Sequence, residues 1–187
     1  MMFNVGKTAL SSAIAIALLA TSPGAYVYAA SGASAEVKFK ATVTESTCTP
    51  TWPATNGTIV DFAKVRSEDL NTENGVAKRE FSLTLTNCLN VTGVQVSAAG
   101  TPDQARPDAF ANTAPEGEAA KNVAFVLLAG DDQKTPLSPN SGSSVEYKMP
   151  ANANSIEMRF LAELVPTGGP VTAGNATGVA TLNMTYE

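Results

Sequence analysis

Residues 35–48 read AEVKFKATVTESTC. From 35 to 44 the odd positions (Ala35, Val37, Phe39, Ala41, Val43) are apolar and the even positions (Glu36, Lys38, Lys40, Thr42, Thr44) are polar. Strict period-2 alternation marks a strand with one buried face. Which core that face serves has to be read from the sequence on either side.

Upstream, residues 1–7 carry one basic side chain plus the terminal amine, and an apolar run follows over residues 9–20. Pro23 and Gly24 end the run, and Val27-Tyr28-Ala29 suits a cleavage site. A dozen apolar residues are too few for a membrane span, which needs ~20. We therefore expect a secretory signal peptide over residues 1–29. Cleavage after Ala29 leaves 158 residues, with 11 basic against 17 acidic side chains and a net charge of −6. That length suits one domain. The acidic balance offers no footprint for nucleic acid.

Cys48 and Cys88 are the only cysteines. In an exported chain an even count favours a disulfide over a reactive thiol or metal site. Histidine is absent, which removes Ser-His-Asp and Cys-His catalysis and most zinc and haem ligation. Asp131-Asp132 falls in GDDQK, which reads as a polar hairpin turn. We expect no catalytic residue, no metal site and no cofactor.

Downstream of Cys48, short apolar-alternating segments are separated by turn residues. They are residues 58–65 (TIVDFAKV), 80–87, 91–97, 122–129 (NVAFVLLA), 145–149, 156–164 and 176–186. The nearly continuous NVAFVLLA suggests a strand covered on both faces. No segment sustains a helical period. Residues 98–121, with Pro102, Pro107 and Pro115, predict an exposed excursion or a short irregular strand. Trp52 is expected to pack near the disulfide. The pattern is that of an all-β antiparallel sandwich. Its last strand carries Ala180, Leu182, Met184 and Tyr186 on one face and ends the chain, an edge that invites strand addition from another chain.

Several of these segments, in order, carry a resemblance. They are the alternating segment ahead of Cys48, VDFAKV at 60–65, FSLTLTNC at 81–88, NVAFVLLAGDDQKTPL, RFLAELVP, and AGNATGVATLNMTYE with its penultimate tyrosine. Together they resemble a single-domain pilin, a fimbrial subunit of the bacterial chaperone–usher family, type 1 fimbria-like. The resemblance implies an incomplete immunoglobulin-like antiparallel β-sandwich lacking its last strand, with an N-terminal donor strand. The domains would be a donor-strand extension over residues 30–45 and a sandwich over 46–187. Val37, Phe39, Ala41 and Val43 would be donor side chains, and Ala180, Leu182, Met184 and Tyr186 would belong to the accepting strand. Implied partners are neighbouring pilin subunits, a periplasmic chaperone and an outer-membrane usher, in a fimbria on the surface of a Gram-negative bacterium. The sequence departs from the family at Ala41, where a glycine is usual, and at Ala63.

The function expected is therefore mechanical: a structural fimbrial subunit that polymerises by donor-strand exchange and supports surface adhesion. The alternative is a single-domain fimbrial adhesin or lectin-like module. The N-terminal strand discriminates between them, because a terminal adhesin has no subunit to donate to. A periplasmic hydrolase is a third class, disfavoured by the missing histidines.

Overall fold

The alternating sequence AKREFSLTLTNCL forms β2 (Ala77–Leu89), with Phe81, Leu83 and Leu85 turned to one face. The computed structural model describes residues 47–53 and 57–187. The expected signal peptide, and the segment bearing Val37, Phe39, Ala41 and Val43, lie outside the described residues. β2 pairs antiparallel with β8 (Ile156–Pro166) in a register that sets Phe81 opposite Phe160, Leu83 opposite Met158 and Leu85 opposite Ile156. The Phe81 and Phe160 rings stack with centroids 5.2 Å apart. Such cross-strand pairs are the stabilising unit of a sheet.

The larger sheet runs β1-β2-β8-β5-β4, adding β1 (Thr47–Pro50), β5 (Val123–Ala129) and β4 (Phe110–Ala111), and β6 (Thr135–Leu137) pairs the remainder of β5. A second sheet holds β7 (Asn140–Lys148), β3 (Gly93–Gly100) and β9 (Ala180–Tyr186) in the order β7-β3-β9. All strand pairs within the sheets are antiparallel. The main core lies between them, built from Val94, Val96 and Ala98 of β3, Val145 and Tyr147 of β7, and the inward faces of β2, β5 and β8.

β5 is apolar on both faces for a visible reason. Leu127 and Ala129 enter the main core, while Ala124 and Val126 join Ala109 and Val165 in a separate cluster. The expected excursion over residues 98–121 contains the short strand β4, and Phe110 anchors it in the main core. One turn of helix, α1 (Ser67–Leu70), was not foreseen; its Leu70 packs with Val123, Leu164 and Val171.

The disulfide forms between Cys48 and Cys88, tying β1 to β2. Period-2 geometry would put Asn87, not Cys88, on the face of Leu85. Asn87 adopts φ 51°, and two β2 residues, Asn87 and Cys88, stand opposite the single Cys48 between the Thr47–Leu89 and Thr49–Thr86 pairs. This bulge shifts the phase and turns Cys88 inward. Trp52 packs against the cluster holding both cysteines.

Tyr147 joins the two sheets. Its hydroxyl accepts from Gly130 N at 2.8 Å and donates to Arg159 O at 2.6 Å. Burial holds the phenol above its ordinary pKa of 10.0.

One expectation fails. Residues 58–65 form no strand, although their composition is β-branched and aromatic. Ala63 takes φ 56°, and its N–H donates to Asp61 Oδ1 at 2.7 Å, a local turn that interrupts the alternation. A strand also needs a ladder partner, and no described strand lies alongside these residues.

Candidate strand-accepting groove

β9 has the alternation of an amphipathic strand: Leu182, Met184 and Tyr186 face the core, and Thr181, Asn183 and Thr185 face outward. It bonds to β3 along its whole length, from Val94 opposite Tyr186 to Gly100 opposite Ala180. Its other edge has no partner among the described residues. The inward side chains of β3 are fully buried, whereas those of β9 are only half-buried.

Beside that open edge runs an apolar groove of about 1040 Å³. Ala180, Leu182 and Met184 form one wall, and Phe81, Leu83, Phe125, Leu127 and Leu164 of the larger sheet form the floor. Small-molecule sites seldom exceed ~1,000 Å³, so the groove has the capacity for a peptide strand. Residues 57–65 supply the opposite wall. Arg79 pins this segment to β2, donating to Asp61 O at 3.2 Å and to Phe62 O at 3.1 Å. Phe62 in turn meets Phe125 with ring centroids 5.8 Å apart. Ile59 is 85% exposed and Val179 71% exposed, both on the groove lining. Large exposed aliphatics gathered in one apolar groove mark an interaction site.

At the end where β9 begins, Gly178 lies flat on the floor. A Cβ there would stand 2.7 Å from Phe125 Cδ2, so only glycine lets the chain pass this close.

Of the residues expected on the accepting strand, Ala180, Leu182 and Met184 line the groove, while Tyr186, which packs against the main core as Leu182 and Met184 do, lies outside its lining. The sequence reading did not single out Ile59, Phe125, Leu164 or Gly178. The first lay in a segment read as an ordinary strand, the next two alternate like any core residue, and Gly178 looked like turn punctuation.

Residues 37–187 match the family model for fimbrial proteins. No curated protein matches the chain. Among solved structures it is similar to the P pilus rod subunit PapA, with TM-score 0.60 and 16% identity over 75% of this chain and 99% of that one. It is similar also to a chaperone–usher pilus structure, with TM-score 0.60 and 19% identity over 83% and 96% of the two chains. A Burkholderia pseudomallei antigen and type I fimbria protein, BPSL1626, is 28% identical with TM-score 0.54, over 79% and 91%. The two antiparallel sheets are thus the immunoglobulin-like fold of pilins. With a family model spanning most of its length, this chain belongs to the fimbrial protein family, whose members are structural subunits of extracellular pili.

Proposed function

We propose that this chain is a pilus subunit that polymerises by donor-strand exchange, with the groove along β9 receiving residues 35–44 of a neighbouring copy. The observation that carries the reading is the contrast inside one sheet: β3 is sealed and β9 is half-open beside an apolar groove. Val37, Phe39, Ala41 and Val43 alternate at the spacing that enters such a groove, and their burial contributes very roughly 5–10 kcal/mol. Main-chain bonds to the edge of β9 that has no partner among the described residues add to it.

Reach favours a neighbour over the chain's own extension. The donor segment extends the antiparallel sheet best by running antiparallel to β9, since that pairing is slightly more stable per residue. Val43 then lies beside Ala180. Thr47, however, pairs with Leu89 at the opposite end of the sandwich, the end where Thr92 N meets Glu187 O. The seven residues of β9 extend over ~20 Å. The four Cα steps from Val43 to Thr47 reach at most ~14 Å. An antiparallel insertion therefore comes from a second copy.

Before assembly, a periplasmic chaperone covers the groove and an outer-membrane usher exchanges it for the next subunit, delivering the fibre to the surface, where it supports adhesion. The test is a pair of substitutions in the full chain. Phe39→Asp puts an unpaired charge in the groove of the next subunit, so fibres fail to form while the subunit still binds its chaperone. Lys38→Asp points outward and assembles normally. A lowered melting point for Phe39→Asp monomer with polymerisation intact would overturn the reading.

A further inference from the structure

Two segments distant in sequence, residues 112–120 and 174–177, meet where the groove ends beside Ala180, and one side chain joins them. Asn112 follows β4 directly. Its Nδ2 donates to Ala120 O at 2.9 Å and to Asn175 O at 3.0 Å. Its Oδ1 accepts from Ala114 N at 3.1 Å and from Thr177 N at 2.9 Å. A primary amide has two donors and one oxygen with two lone pairs, so its full capacity is spent here. Main-chain bonds run alongside: Thr113 N to Thr177 O at 2.7 Å, Ala120 N to Asn175 O at 2.8 Å, and Asn175 N to Glu118 O at 2.7 Å. Gly174 presses onto the same segment; a Cβ there would lie 2.3 Å from Ala120 N.

These contacts matter because of what comes next in the chain. Thr177 precedes Gly178, which lies on Phe125, and two residues later β9 starts at Ala180. Residues 173–179 line the groove outside the named strands, with one isolated parallel bridge between Asn175 and Ala119. Their position is set by Asn112 and the main-chain bonds around it.

We propose that Asn112 is a positioning residue for strand uptake, holding the groove end beside Ala180 in the shape that seats Val43 of the incoming strand. The inference rests on the donor-strand reading above. The spans agree: Val37 to Val43 covers as many residues as the seven of β9, so an antiparallel strand with Val37 near Tyr186 places Val43 near Ala180. Asn112 touches no donor residue itself; it acts through Thr177, Gly178 and Phe125.

The test uses the full chain carrying Phe39→Asp, which silences its own extension, and a labelled synthetic peptide copying residues 35–46. Asn112→Asp turns a carboxylate oxygen toward two carbonyls, and peptide affinity falls by about tenfold or more. With a Val43→Ala peptide the same substitution costs less than about twofold, because the two changes are coupled. With a Val37→Ala peptide the full loss remains. An equal loss for all three peptides makes Asn112 a merely structural residue and overturns the proposal, as does a loss that disappears with Val37→Ala instead. Should Asn112→Asp fail to fold, Asn112→Ala, which adds no repulsion, is read through the same peptide series. Absence of uptake of any peptide by the Asn112 chain sinks the donor-strand reading itself, an outcome distinct from the other two.

Discussion

β3 and β9 are neighbours in one sheet, bonded along their whole length, and both alternate apolar and polar residues. Val94, Val96 and Ala98 are fully buried, whereas Leu182, Met184 and Tyr186 stay half-exposed. The side chains are of similar apolar character, so composition does not explain the difference. β3 is flanked by β7 and β9 and faced by the larger sheet, while among the described residues β9 is flanked on one side only. Burial is conferred by neighbours. The same pattern yields a finished core on one strand and a partly covered apolar face on the next.

The sharpest way to break this comparison is to place a charge on each strand in turn. Val96→Asp buries an unpaired carboxylate and costs several kcal/mol, roughly the stability of a small domain, so no folded protein accumulates on expression. Leu182→Asp lies on the half-open side, and the subunit folds but no longer takes up the strand peptide. Thermal melting set beside a peptide-uptake assay reads both. Equal loss of folding in the two variants would show that β9 is as much a core strand as β3.

Next in size is the disulfide. Replacing Cys48 and Cys88 by serine removes a link across a sequence separation of 40 and lowers stability by about 4 kcal/mol on a chain-entropy basis. The urea midpoint of the oxidised and serine forms measures it. The loss extends to strand uptake, because Trp52 on the groove lining stands two residues beyond the end of β1.

Tyr147→Phe acts on the sealed side alone. It strands the Gly130 N–H and the Arg159 carbonyl, costing about 1–3 kcal/mol, with peptide uptake unchanged. The pH dependence has a definite sign. The folded phenol holds its proton above the ordinary 10.0, so above that pH the unfolded chain binds fewer protons than the folded one. The contribution is therefore intact below pH 10.0 and is lost as pH rises past it. Alkaline unfolding followed for both proteins should show this extra decline in the native chain and not in Tyr147→Phe.

The smallest effect sits on the groove wall. Ala63 holds a left-handed φ of 56°, a conformation glycine adopts without steric cost. Ala63→Gly should stabilise the subunit by about 1 kcal/mol, read as a raised urea midpoint. A lowered midpoint would mean that the Ala63 methyl makes a packing contact worth more than the backbone strain.

Much of the sandwich was legible from local pattern. β2, β3, β5, β7, β8 and β9 each contain the core of a segment read as a strand, and the apolar run in β5 announced its two covered faces. Errors arose where partners were needed. Residues 58–65 have strand composition but no neighbouring ladder among the described residues, and residues 176–179 look like the start of β9 yet are held as a loop by Asn112. The Phe62–Phe125 contact and the close pass of Gly178 join residues far apart in the chain, so no window of sequence contains them.

The sequence by itself determined which side of each strand is apolar, where the chain turns, that two cysteines were available to pair, and that residues 35–44 form an amphipathic segment. These are local properties, written in spacings of two and in turn residues. Only the tertiary structure decided which apolar face is left uncovered. That depends on the order β7-β3-β9, on an edge of β9 with no neighbour among the described residues, and on the floor contributed by another sheet. Coverage is a relation between distant segments, and a groove exists only once those segments have met.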